Sequence, residues 1–308
     1  MNPIVDKILA SKIVKIPIDL SKKIILPGFD GLPIYEVILF FITGIQKNSL
    51  TTRASSLAFR FFLALFPSII FLFALIPYIP IDNFQTQLLD LIKNILPQNA
   101  YELSIVTIND LVTDRNNSLL SFGFIFALYL ASDGVNSMIN AFNESYHIKE
   151  KSSFIKKRLR SLLLLFILTS LMVTAIALIV FSGVITDFLF SHNYLSNNLS
   201  FYALKFGKII ILLLLFFLGI SSLYYYGNIQ NQKFRFISAG STLATVLSIL
   251  LSTGFAYYVN NFSTYNKIYG SIGTLMVIML WLYFNSLVLL IGFELNVSIK
   301  HAKEKLTH

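Results

Sequence analysis

LLLLFILTSLMVTAIALIVFSGVI, residues 162–185, carries no charged side chain and follows closely on Lys156, Lys157, Arg158 and Arg160. Wound as an α-helix it extends about 36 Å at 1.5 Å per residue, enough to cross a hydrocarbon core of roughly 30 Å. A helix of that length on a water-soluble protein needs a polar face, and this one has none. The stretch reads as a transmembrane helix with a basic anchor at its N-terminal end.

Five further stretches read the same way, at about 57–79, 119–139, 206–226, 237–259 and 272–297. The first is interrupted by Pro67 and closed by Pro77 and Pro80. The whole composition agrees, with 56% hydrophobic and 13% charged residues, against roughly 45–50% and 25% in an average globular chain. Too few charges are present to cover a water-facing surface, whereas a lipid-facing surface needs almost none. The expected fold is all-α: a polytopic integral membrane protein with six transmembrane helices plus interfacial amphipathic helices.

Three segments complete that organisation: a basic lead-in over 1–34, the membrane domain over 35–298 and a tail over 299–308. Residues 35–47, with Val37-Ile38-Leu39-Phe40-Phe41-Ile42, are apolar but too short to span, so an interfacial or re-entrant helix is expected. Within 81–118, the spacing of Leu88, Leu91, Ile92 and Ile95 and then of Ile105, Ile108 and Val112 predicts two short surface helices divided at Pro97. The first thirty residues show no cleavable signal, so the first span is expected to serve for export. Lys and Arg fix the orientation. Segments 1–55, 140–160, 227–236 and the tail hold seven, six, two and three of them; 81–118, 187–205 and 260–270 hold two, one and one. Eighteen against four places both termini in the cytoplasm, in agreement with an even number of crossings. The net charge of +9 is thus assigned to anionic headgroups of the lipid bilayer rather than to nucleic acid.

Several local patterns resemble the YihY/BrkB family of bacterial inner-membrane proteins. Ser56-Leu57-Ala58-Phe59 followed by Ala64-Leu65-Phe66-Pro67 is similar to that family's apolar signature, with Ala64 where serine is common. Ala141-Phe142-Asn143 with Tyr146 resembles its turn into a basic loop. The most specific block is C-terminal: Tyr258-Val259-Asn260-Asn261-Phe262, Tyr265-Asn266, Ile268-Tyr269-Gly270-Ser271-Ile272-Gly273, Trp281-Leu282-Tyr283 and Gly292-Phe293-Glu294-Leu295-Asn296, with Phe293 in place of the usual alanine. The resemblance covers roughly 35–300. It implies a six-helix membrane fold; the family has been labelled a virulence factor and once a tRNA-processing ribonuclease, and its members are often taken for transporters.

Polar groups inside hydrocarbon ask for a reason. Asp133, Asn136, Ser137, Asn140 and Glu144 lie at offsets 0, 3, 4, 7 and 11, one stripe on one helix face. A carboxylate near mid-helix costs about 2.5–3.5 kcal/mol on insertion scales, so the stripe is expected to face protein or water. Two readings stand: a hydrophilic pathway with Asp133 binding a cation or polar solute, or inter-helix hydrogen bonds of about 0.6 kcal/mol each. Arg60, about one turn into the first span, is the natural counter-charge for Asp133; the plainer alternative is that it snorkels to the headgroups. In the last span Asn285, Gly292 and Asn296 share a face suited to close packing with amide bonding, as Pro67 marks packing in the first. Glu294 points the opposite way, about one turn from the cytoplasmic end, where it pairs with a basic loop or reaches water. Tyr265, Asn266 and Tyr269 fall in the loop after span five, as an interfacial belt or a rim that samples solutes, with Gly270 and Gly273 setting a tight turn.

Little points to catalysis. His147, His192, His301 and His308 are scattered, with no H-E-x-x-H, no G-x-S-x-G and no phosphate-binding glycine motif. Without cysteine there are no disulfides, thiolates or Cys-held metals; no cofactor or metal is expected. The leading expectation is a permease or exporter, not an enzyme, that binds a polar or amphipathic solute at Arg60, Asp133, Asn136 and Asn140, with Glu294 second. A non-transporting scaffold or lipid-binding protein is the alternative, and an intramembrane enzyme a weaker one.

Overall fold

The computed structural model of the protein describes residues 21–22, 24–25, 28–47, 49–75, 117–145, 153–191, 198–228, 235–261 and 264–307. Seven helices occupy them: α1 (Ile34–Lys47), α2 (Leu50–Leu75), α3 (Asn117–Glu144), α4 (Phe154–Ser191), α5 (Asn198–Gly227), α6 (Ala239–Asn261) and α7 (Thr264–Thr307). Five of them, α3 to α7, are long and apolar enough to cross a membrane, and α1 is a shorter apolar helix. The protein is an all-α, polytopic membrane protein. α2 carries the first expected span as far as Leu75; its end, and the two surface helices expected within 81–118, lie outside the described residues apart from 117 and 118, which open α3.

Helix starts follow ordinary capping chemistry. Ser153 precedes α4, and its Oγ accepts from Lys156 N–H at 3.5 Å. Ser238 precedes α6, where its Oγ accepts from Ser241 N–H at 3.1 Å and its carbonyl from Thr242 N–H at 3.1 Å. Each satisfies a donor that the first turn leaves open. Three boundaries differ from expectation. α2 begins at Leu50, seven residues before the apolar run, and passes through Pro67 without a break. α7 begins at Thr264, so Tyr265, Asn266, Tyr269, Gly270 and Gly273 are helical rather than a loop with a tight turn. It ends only at Thr307, so the expected tail over 299–308 continues the helix. Local chemistry supports that extension: Lys300 Nζ lies 4.0 Å from Glu304 Oε1 at i, i+4, and Ile299 and Ala302 are buried.

The chain forms two compact units. One comprises Met1–Arg53, Met138–Leu251 and Leu287–His308. Here the lead-in ends in an ordered hook rather than a featureless arm. Ile34 N–H bonds Ile24 O at 3.0 Å, and Gly28, Asp30 and Gly31 take positive φ to turn the chain. Arg235 at 3.2 Å and Lys303 at 3.3 Å hold Asp30. Phe29, Leu32 and Val37 are then buried with Leu295, Ile299 and Ala302, seating α1 on the end of α7, while Ile38, Leu39 and Ile42 stay exposed. α4 packs beside α5, with Lys208 Nζ donating to Ser182 Oγ at 2.7 Å.

Small residues let α6 and α7 approach closely. A Cβ on Gly292 would stand 2.7 Å from Ala244 Cβ and from Gly240 O. Asn296 Oδ1 accepts Gly240 N–H at 2.8 Å and its Nδ2 donates to Ser238 Oγ at 2.9 Å, so one amide caps α6 and ties it to α7. Phe142 of α3, Tyr224 of α5 and Phe293 of α7 form an aromatic triad. Phe142 and Phe293 stack at 4.4 Å and 7°, and Tyr224 meets both edge-on at 5.5 and 5.6 Å. The Tyr224 hydroxyl donates to Leu289 O at 2.7 Å, as a buried phenol requires.

The second unit comprises Ala54–Ser137 and Ser252–Ser286. Ala54, Leu57, Ala58 and Ala64 of α2 and Ala127, Ser132 and Val135 of α3 are buried in it. A Cβ on Gly134 would come 3.1 Å from the Phe61 ring, so the absence of a side chain lets the two helices close.

Candidate functional site

Within the second unit, Arg60 Nη1 of α2 lies 2.5 Å from Asp133 Oδ2 of α3. A charge-assisted bond between guanidinium and carboxylate is among the stronger polar contacts available to side chains. Arg60 therefore reaches across to α3 instead of snorkelling. The close packing of Gly134 on Phe61, each next to a partner of the pair, sets the helices near enough for that contact. The pair is not sealed: the side chains keep 44% and 32% of their accessible surface. Phe59, Leu63 and Tyr129, also exposed, flank it with apolar and aromatic surface. Asn136, one turn along from Asp133, is half-buried; Asn140, a turn further and within the first unit, is exposed. Ser137 donates to Asp133 O at 2.8 Å, an i−4 bond within its own helix.

The first unit holds a second charged cluster, centred on a residue that sequence reasoning counted only as lead-in charge. Arg53, seven residues before Arg60 and so on the same face of α2, is 7% exposed. Its Nη2 donates to Ala141 O and, at 2.9 Å, to Ser145 Oγ; its Nε lies 3.5 Å from Glu144 Oε2. The signal for it is the seven-residue spacing of two arginines, visible once α2 starts at Leu50.

Glu294, expected either to pair with a basic loop or to reach water, is buried in the neighbourhood of the basic Arg53. It is 2% exposed, because α7 continues for several turns beyond it and α1 covers it. A Cβ on Gly44 of α1 would collide with Glu294 Oε1, and Glu294 adds its charge to that of Glu144 around Arg53. It belongs to the Arg53 cluster and not to the unit that holds Arg60 and Asp133.

The packing residues divide. Gly292 and Asn296 join α7 to α6 as described, and Pro67 is buried. Among the described residues Asn285 bonds within its own helix: its Nδ2 donates to Trp281 O at 2.8 Å, four residues back on α7. An amide in an apolar helix satisfies itself on its own backbone when no partner faces it. Asn143 takes the bridging role instead, with Nδ2 donating to Ile139 O at 2.6 Å and to Gly227 O at 3.0 Å. The side chains of Tyr265, Asn266 and Tyr269 lie outside the described residues. Among the described residues no group of three or more His, Cys, Asp or Glu is placed to hold a metal ion.

Comparison with known proteins agrees with this architecture. Residues 41–308 match the family described as virulence factor BrkB. A ribonuclease-like protein of Bacillus subtilis, YfkH, whose name is provisional, is 33% identical over 83% of this chain and 91% of its own. A UPF0761 membrane protein of Psychromonas ingrahamii is 23% identical over 86% of this chain and 88% of its own. One of Acinetobacter baylyi is 24% identical over 87% of this chain, which spans 64% of that protein's length. No solved structure matches.

Proposed function

Because the chain belongs to the virulence factor BrkB family, whose UPF0761 relatives are named as membrane proteins, we infer that it is a multi-pass permease or exporter binding a polar or amphipathic solute at Arg60 and Asp133. Asn136 and Asn140 line the same face. The chain sits in the bacterial inner membrane with both termini cytoplasmic; its partners are the lipid bilayer and a small solute or lipid, with no nucleic acid. It is not an enzyme.

One observation carries this reading: an ion pair between α2 and α3 whose side chains keep 44% and 32% of their surface open. A pair serving only to hold helices together is better enclosed, since water or solute at its edge weakens the attraction. A pair that must open for a ligand needs access. The alternative is a non-transporting scaffold, and it draws support from Asn143 and Asn296, whose amides each make a bond that joins helices.

Reconstitution into liposomes with a panel of solutes separates the two readings. Wild type is expected to carry at least one solute, and Asp133→Asn and Arg60→Gln to lose most of that flux. Equal flux in all three removes the pair from the mechanism, and no flux from the wild type leaves the scaffold.

A further inference from the structure

Among the described side chains of their unit the charged groups are Arg60 and Asp133, and each faces the other. That restricts what can replace the contact. A simple anion that takes Arg60 strands Asp133, leaving two negative charges to share one guanidinium in apolar surroundings. A simple cation that takes Asp133 strands Arg60 in the same way. A neutral polar solute parts the two and supplies charge to neither. A molecule with one anionic and one cationic group compensates both ends at once, exchanging one ion pair for two.

We propose that the ligand of this pair is a zwitterion that enters between Arg60 and Asp133, its anionic group on the guanidinium and its cationic group on the carboxylate. The inference rests on the permease reading above and narrows it to a substrate class. Both partners are accessible, Asn136 offers an amide one turn from Asp133, and exposed Phe59, Leu63 and Tyr129 provide apolar surface beside the charges. Arg53 makes the contrast: on the same helix face it is buried and donates to a backbone carbonyl, so it is not available to a ligand. The same chemistry occurs in a free amino acid and in the phosphoethanolamine head of a lipid, and the two sources are separable by experiment.

The test uses the full-length protein in liposomes of digalactosyldiacylglycerol, whose head carries no charge. Uptake of glycine and β-alanine is compared with that of acetate and methylammonium, the two charged halves of glycine. A second arm follows flipping of labelled phosphatidylethanolamine against labelled phosphatidylglycerol. Wild type is expected to favour the zwitterion in one arm by about tenfold over singly charged probes, and the responding arm identifies free solute or lipid head. Asp133→Asn is expected to move the preference to acetate or phosphatidylglycerol, and Arg60→Gln to methylammonium. The double exchange Arg60→Asp with Asp133→Arg keeps a neutral pair and is expected to recover zwitterion preference, which single variants that fail to fold cannot imitate. Movement of a singly charged probe as fast as the zwitterion, lost in both single variants, overturns the inference and leaves the permease reading standing. No movement of any probe by folded wild type overturns both.

Discussion

Gly240→Ala is the most exacting test of how α6 and α7 are joined. A methyl there meets Gly292 O and comes 2.6 Å from Asn296 Cγ and Oδ1. Ordinary carbon contacts begin near 3.5 Å, so the helices must separate by roughly 1 Å, and the nearest obstacle is backbone that cannot rotate away. Overpacking of this kind costs about 1–3 kcal/mol. Separation also stretches the 2.8 Å bond from Gly240 N–H to Asn296 Oδ1, worth about 1 kcal/mol. Against this, alanine exceeds glycine by about 1 kcal/mol in a helix interior. The net expectation is a loss of about 1–3 kcal/mol, read as a lower midpoint of thermal unfolding in detergent at one scan rate. Gly207→Ala is the matched control: helical, in the same unit and with nothing within 4 Å of the added methyl. It is expected to be neutral or slightly stabilising. A Gly240→Ala protein that melts with or above Gly207→Ala would refute the close-approach account.

Arg53→Gln leaves buried Glu294 without the guanidinium charge nearby and is expected to destabilise by about 3–5 kcal/mol; adding Glu294→Gln is expected to restore part of the melting temperature. Tyr224→Phe keeps the aromatic triad but leaves Leu289 O without its donor, with an expected loss of about 1 kcal/mol in the same assay. Asn296→Ala removes the side-chain cap of α6 and is expected to cost about 1–2 kcal/mol. If amide exchange at residues 240–242 is unchanged in that variant, the capping role is wrong.

How far the sequence could be read depended on whether compensation was local. Residues 162–185 announced a crossing because lipid rejects charge along the whole length of a helix, and α4 is there. The pairing of Arg60 with Asp133 could be anticipated because one acid and one base stood among apolar neighbours. Arg53 was hidden by the same logic: a basic residue beside an apolar run looks like a boundary, and its burial relies on partners far along the chain, Ala141, Glu144 and Ser145 among them. Glu294 was misplaced because its burial depends on α1 and on an extension of α7 that hydropathy does not signal. The bond that Asn285 makes to Trp281 O was not legible because an amide has two satisfactory answers, its own backbone or a neighbour's, and spacing does not choose between them. The division of the candidate residues between two compact units leaves no trace in hydropathy, since both units share the continuous helices α2, α3, α6 and α7.

The triad of Phe142, Tyr224 and Phe293 limits how the molecule can move. Each ring comes from a different helix, and each touches the other two. A slide of one helix by a single turn, about 5.4 Å, would carry its ring clear of both partners and leave a void that neighbouring side chains fill only by repacking. α3, α5 and α7 are thus keyed to one another like the wards of a lock. A working cycle that opens and closes a path has to treat this trio as one rigid piece and find its hinge elsewhere.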